Sequence, residues 1–242
     1  MVCQHISSPN FPHAVIFDMD NTLYPYQPSH NAGMNAVEEK LITDYGITSK
    51  NFTECFMQAR NELKVRLKAT ASSHSRLLYF MRTLELLGFK SQPLLALDLE
   101  QSYWRNFLKV AELYPDVIQV FEFLKSSGVA IAIVTDLTSQ IQLRKLIYFD
   151  IDKYIDCIVT SEEAGIDKSG LVPFELAIQR LGIPPQEIWV VGDNEQADMH
   201  PAHHFSMLPV FKFSATSCAP QWVPLKFQHF AELKRILEDL KQ

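Results

Sequence analysis

The chain has 242 residues, 47% of them hydrophobic, and 22 Lys and Arg against 28 Asp and Glu; this composition supplies a sizeable core and excludes wholesale disorder. A net charge of −6 and a pI near 5.7 argue against a nucleic-acid polymer or an anionic membrane as partner. The longest aliphatic run, 129–134, is far shorter than a membrane span, residues 1–12 lack a leader pattern, and Cys3, Cys55, Cys157 and Cys218 are scattered, so the expectation is a cytoplasmic protein with free thiols.

The first element is the apolar run Ala14-Val15-Ile16-Phe17, which stops abruptly at Asp18. Continuous rather than alternating apolar character predicts a strand buried on both faces of a parallel sheet. From about residue 29 to residue 110 only helix-length patterns occur. Phe52, Phe56, Ala59, Leu63 and Leu67 keep helical spacing, as do Leu77, Leu78, Met81, Leu84 and Leu87 before Gly88. This predicts an all-helical domain, 28–113, inserted into a core made of 1–27 and 114–242.

Beyond the insertion, strand and helix patterns alternate. Val117, Val120, Phe121 and Leu124 give a helical face closed by Gly128, and a strand follows at 129–134. Ile141, Leu143, Leu146 and Ile147 give the next face, then a strand at 155–159. A third helix carries Phe174, Ala177 and Leu181 before Gly182, strands follow at 188–191 and 208–211, and a last helix occupies 231–240. The expected fold is therefore α/β: a Rossmann-like parallel sheet with helices on both faces and an inserted all-helical cap.

In such sheets, ligands bind beyond the carboxyl ends of the strands. Asp18-Met19-Asp20-Asn21-Thr22-Leu23 follows the first strand, Thr135-Asp136 the second, and Gly192-Asp193-Asn194 the 188–191 strand, with Asp198 five residues after Asp193. Lys168 precedes the Phe174 helix. Carboxylates gathered in one cleft repel unless a cation lies among them, and an all-oxygen donor set selects a hard ion, Mg²⁺ before Ca²⁺. With a hydroxyl and a lysine alongside, the set describes phosphoryl transfer through an aspartyl-phosphate.

These residues resemble the haloacid-dehalogenase-like superfamily of phosphohydrolases, in the branch with a helical cap after the first motif. Asp18 through Leu23 is similar to its DxDxTL motif, Val134-Thr135 to the hydroxyl-bearing second motif, Lys168 to the third, and Gly192-Asp193 through Asp198 to GDxxxxD. The resemblance implies that Asp18 is nucleophile and Mg²⁺ ligand, and that Asp20 is general acid and then base while its carbonyl ligates the metal. It further implies that Thr135 and Lys168 hold the phosphoryl group, that Asp193 completes the metal sphere, and that Asp198 ligates directly or supports the ligands. The implied substrate is a small phosphorylated metabolite, with nucleotide and sugar phosphates as the two classes. A phosphomutase of the same superfamily, or a catalytically inactive binding module, are the alternatives; a dehalogenase is disfavoured because it has no use for the acid at Asp20. Two departures stand out: Lys168-Ser169-Gly170-Leu171 replaces the usual Lys-Pro-Asp-Pro, and Phe205-Ser206 stands near a usual Ala-Gly pair.

Some features carry competing readings. Asp193 and Asp198 also suit helix capping, and Asp136 suits either a phosphate loop or a helix start. His200, His203 and His204 fit a solvated helix face better than zinc. Tyr24 and Tyr26 suit either a substrate opening or a packed hinge. Between residues 60 and 90 there are seven basic residues and two acidic ones, with Arg60, Lys64 and Lys68 on one helical stripe; this is a solvated face or a substrate-attracting one.

Overall fold

In the computed structural model, which describes residues 9–214 and 218–242, six strands form one parallel sheet. They are β1 (Ala14–Phe17), β2 (Ala130–Thr135), β3 (Cys157–Thr160), β4 (Ile188–Gly192), β5 (Leu208–Lys212) and β6 (Leu225–Phe227), in the order β3-β2-β1-β4-β5-β6. β1 is central, with Phe17 in register with Ile133 of β2 and Val191 of β4. The chain leaves β1 toward β2 on one side and later returns to β4 on the other. The carboxyl end of β1 is thus a topological switch point, where open sheets form crevices.

The apolar run at β1 is continuous because both its faces are covered. Val15 and Phe17 join one core with Ile131, Ile133, Trp189 and Val191; Ala14 and Ile16 join the other with Ala132, Val134 and Val190. Each such fully buried Val, Ile or Phe is worth about 1.5–3 kcal/mol. The first core is closed by α5 (Val117–Ser126), α6 (Ser139–Tyr148) and α10 (Phe230–Lys241), and the second by α8 (Val172–Leu181) and α9 (His200–His204). A short helix, α7 (Ser161–Ala164), follows β3.

Between β1 and α5 lie only helices: α1 (Tyr26–Tyr45), α2 (Ser49–Leu67), α3 (Arg76–Leu86) and α4 (Pro93–Lys109), with a 3₁₀ turn at Ala71–His74. Thr48 caps α2 by accepting from the Asn51 N–H, and Ser75 caps α3 by accepting from the Leu78 N–H. Helices α1 and α4 pack so closely at Gly33 that a Cβ there would lie 2.7 Å from the Tyr103 ring. The first core continues from the sheet into these helices through Leu23, Tyr24, Tyr103 and Phe107.

Three local expectations change. β3 starts at Cys157 rather than 155, because the Asp156 carboxylate takes the Ile131 N–H (2.8 Å) and pairs with Lys125 (2.7 Å), while 152–154 forms a 3₁₀ turn. Strand β6 is only three residues long, too short to leave a periodic signal. On α6 the inward face is Ile141, Gln142, Lys145 and Leu146, whereas Leu143 and Ile147 are exposed. Cys55, Cys157 and Cys218 are free thiols; Cys3 and the start of the 1–12 segment lie outside the described residues. Among the described residues no helix is long and apolar enough to cross a membrane.

Candidate active site

Asp18 leaves the end of β1 buried, its N–H donating to the Val191 carbonyl at 2.9 Å. The chain then turns tightly, with Asn21 at a φ of 64°, a conformation Asn tolerates better than most residues. That turn carries the buried Thr22 hydroxyl to 3.0 Å from Asp18 Oδ2 and 3.4 Å from Asp193 Oδ1. Lys168 Nζ donates to Asp18 Oδ1 and, at 2.8 Å, to Asp198 Oδ1. The lost proline of the third motif is compensated locally: Lys168 starts a 3₁₀ turn, and its N–H donates to Asp136 Oδ1 at 2.8 Å. Asp136 thus anchors the Lys168 loop, and neither of its two sequence readings describes that contact.

Asp198 lies on a π-helical turn, Glu195–Met199, at 1% exposure. It sits against Gly192, where a Cβ would come within 2.4 Å of its carboxyl carbon, so only glycine fits. The helix cap is Asn194, whose side chain accepts from the Gln196 and Ala197 N–H groups; Asp198 instead accepts from the Asn194 N–H at 3.1 Å.

Carboxylate oxygens of Asp18, Asp193 and Asp198 lie within 4.8 Å of one another. Burial, together with the neighbouring carboxylates and against the pull of Lys168, pushes Asp18 well above the usual carboxylate range. Burial and Asp198 push Asp193 up to about 6. Burial opposes charge on Lys168, yet Asp18 and Asp198 outweigh it and hold the ammonium firmly protonated. Three carboxylates against one close ammonium leave a surplus of negative charge, and the donors are all oxygen. That set fits a hard divalent cation.

Asp20 has a different surrounding. Its Oδ1 accepts from Lys145 Nζ at 2.7 Å and from the Tyr24 hydroxyl. Burial alone would raise its pKa, but Lys145 and these hydrogen bonds bring it below the usual carboxylate value. Its side chain stays outside the three-carboxylate cluster, leaving only its backbone carbonyl for a metal. Lys145 is 1% exposed and lies 5.5–5.8 Å from the ring centres of Tyr24, Trp104 and Phe107. The sequence reading does not single it out, because Leu143 and Ile147 draw the apparent apolar face of this helix elsewhere.

Asp18, Asp20, Thr135, Lys168 and Asp193 line one cavity of about 220 Å³. The Thr135 hydroxyl there accepts from Gln142 Nε2 at 2.8 Å. An adjoining cavity of about 470 Å³ opens between this edge and the inserted helices and takes in Tyr26, Arg60 and Lys64, but not Lys68. Tyr24 is fully buried against Phe107 and Phe149, so the two tyrosines split between hinge and opening. His200 and His203 lie on Trp222, and among the described residues no histidine joins a metal-holding group.

A parallel sheet with a carboxylate cluster at its switch point and a run of helices inserted after β1 defines a Rossmann-like α/β protein with a site suited to a cation and a charged ligand. The sequence profile of the haloacid dehalogenase-like hydrolases matches residues 12–205, and the chain belongs to that family, as a hydrolase of phosphoric monoesters. It is 42% identical over 187 residues to the ribulose-1,5-bisphosphate 5-phosphatase of Halopiger xanaduensis, covering 77% of this chain and 78% of that one. It is 30% identical over 198 residues to the glyceraldehyde 3-phosphate phosphatase of Methanopyrus kandleri, covering 81% and 82%. The crystal structure of a HAD phosphatase from Thermococcus onnurineus superposes with a TM-score of 0.72 at 24% identity, over 93% of this chain and 97% of that one.

Proposed function

We propose that the chain hydrolyses a small phosphorylated sugar with the help of Mg²⁺, through an aspartyl-phosphate on Asp18, with residues 28–113 as a cap over the core of 1–27 and 114–242. The observation that carries this is the shared environment of Asp18, Asp193 and Asp198, in which Lys168 bridges two of the three carboxylates. The sugar-phosphate phosphatases among its relatives support the substrate class.

Asp18, Asp193 and Asp198, with the Asp20 carbonyl, would hold the ion, which when bound neutralises phosphoryl oxygens and steers them toward Asp18. Asp18 attacks phosphorus while Lys168 and the Thr135 hydroxyl hold the non-bridging oxygens. Because Lys145 and Tyr24 both occupy Asp20 Oδ1, the other carboxylate oxygen handles the proton. At rest Asp20 is ionised; a phosphate dianion arriving beside it raises its pKa, so that Asp20 takes up a proton from solvent and then gives it to the leaving oxygen. As the phosphorus–oxygen bond to the sugar breaks, that proton completes the departing alcohol. Asp20 then takes a proton from water, the resulting hydroxide attacks phosphorus, and Asp18 is released with inorganic phosphate.

Phosphate release from a panel of sugar and nucleotide phosphates, with Mg²⁺ and with EDTA, tests the proposal. Mg²⁺-dependent release from sugar phosphates is expected. Undiminished release in EDTA, or none from any phosphate ester in Mg²⁺, would contradict it.

A further inference from the structure

The larger cavity shares Asp20, Asn21, His74 and Asp136 with the catalytic one, so a molecule whose phosphoryl group sits at Asp18 extends into it. Its helical walls bring in three cations: Arg60 and Lys64 from α2, and Arg76 from the start of α3. Arg76 is only 9% exposed. One of its terminal nitrogens donates to the His74 carbonyl at 2.6 Å and the other to the Tyr26 hydroxyl, but its buried Nε has no partner. The rings of Tyr79, Tyr103 and Trp104 lie 5.3–5.7 Å from its guanidinium carbon, which desolvates the charge without neutralising it.

Among the described residues no carboxylate lies within 4.0 Å of Arg60, Lys64 or Arg76, whereas nearby Arg82 is held by both Glu62 and Glu85. Among the described residues Lys64 Nζ finds the His74 ring, at 2.9 Å from Nδ1 and 3.3 Å from Nε2, and the Ser73 hydroxyl; His74 Nε2 in turn faces Asp167 at 3.0 Å. The two carboxylates that line the cavity are already engaged, Asp20 by Lys145 and Asp136 by the Lys168 N–H. A buried cation without a counter-charge is costly, and three cations around one cavity invite an anion from outside the chain.

We propose that this cavity receives a second phosphate group of the substrate, making the enzyme selective for a compact sugar bisphosphate over the matching monophosphate. The inference rests on reading the catalytic edge as a phosphomonoesterase; what it adds is the distal anion and the residues that select it. Arg60 and Lys64 set the preference at the accessible wall, and Arg76 sets it from the buried wall.

The test compares kcat/KM for ribulose 1,5-bisphosphate and ribulose 5-phosphate, with an aryl phosphate as reference for the chemistry. Wild-type protein should prefer the bisphosphate by about 100-fold, and Arg60→Gln and Lys64→Gln should each cut that ratio by about tenfold, chiefly through KM. Calorimetric binding of the same two sugars to Asp18→Asn protein reads the preference without turnover. Tighter binding of the bisphosphate that weakens in the Asp18→Asn, Arg60→Gln double variant supports the proposal. Equal affinities, a wild-type ratio near one, or equal losses on both sugars would overturn it. Absence of turnover on every phosphate, including the aryl ester, while the binding preference persists would overturn the phosphatase reading and leave the distal anion site standing.

Discussion

At the carboxyl edge of the sheet three carboxylates cluster around one ammonium, Lys168, which pairs with two of them, while in the neighbouring cavity three cations of the inserted helices have no carboxylate within 4.0 Å among the described residues. Each region taken alone is electrostatically incomplete, and the two are incomplete in opposite senses. Simple ion pairing across the boundary would relieve both, yet the fold keeps them apart: Lys145 and Tyr24 engage Asp20, and the Lys168 N–H engages Asp136, at the seam between the cavities. Charges kept apart in this way suit a cation in one region and an anionic ligand in the other. The helices between β1 and α5 thus bring three cations to the wall of that cavity.

The comparison can be broken first at its acidic end. Asp18→Asn should lower turnover by about 10³-fold or more while the fold survives, since an amide keeps the shape but not the nucleophilicity. Steady-state rates with a circular-dichroism control check this, and near-native turnover in a folded variant would contradict it. At the seam, Asp20→Asn should cost about 10²–10⁴-fold on alkyl phosphates and far less on an aryl phosphate, whose leaving group needs no acid. Lys145→Met should reproduce that pattern more weakly, about 10–100-fold, because Asp20 loses the cation that holds it in place. Equal losses on both substrate types would remove the seam from the account.

A smaller effect follows from acidity. In EDTA, Asp193 binds its proton more tightly in the folded state, with a pKa of about 6, than in the unfolded chain. A carboxyl raised in this direction stabilises the fold below its unfolded pKa near 4, and that contribution is lost as pH rises through 6. Metal-free melting temperatures should therefore fall between pH 5 and pH 7, by the equivalent of about 1–3 kcal/mol. A flat profile would mean that the carboxylates do not repel. The smallest effect belongs to Lys68, which lies outside the cavity: Lys68→Gln should change kcat/KM by less than about twofold and leave its salt dependence intact. A large change would show that charge on the whole stripe, rather than in the cavity, attracts the substrate.

Much of the carboxylate edge was legible because most of its groups end or follow a strand whose apolar run is unmistakable. Asp18, Thr135 and Asp193 are placed by β1, β2 and β4, and Lys168 by its distance before α8. What escaped notice depends on contacts between distant parts of the chain. Lys145 pairs with a residue 125 positions away, and a local pattern that favours Leu143 and Ile147 gives no hint that the lysine is the inward residue. Arg76 reads as one of seven basic residues until α3 and α4 pack Tyr79, Tyr103 and Trp104 around it. Lys68, at the end of the same stripe, shows the reverse: helical spacing aligns it with Arg60 and Lys64, but α2 ends at Leu67 and the lysine stays outside.

The central claim is that the carboxylate surplus at the sheet edge is a Mg²⁺ site, and melting curves of wild type and Asp193→Asn with and without Mg²⁺, at constant ionic strength, test it most directly. A ligand that binds only the folded state stabilises it by about 2.7 kcal/mol at a hundredfold excess over Kd. Wild type should gain this from Mg²⁺, whereas Asp193→Asn should match or exceed wild type in EDTA and gain much less from the ion. Parallel shifts in the two proteins would contradict the claim.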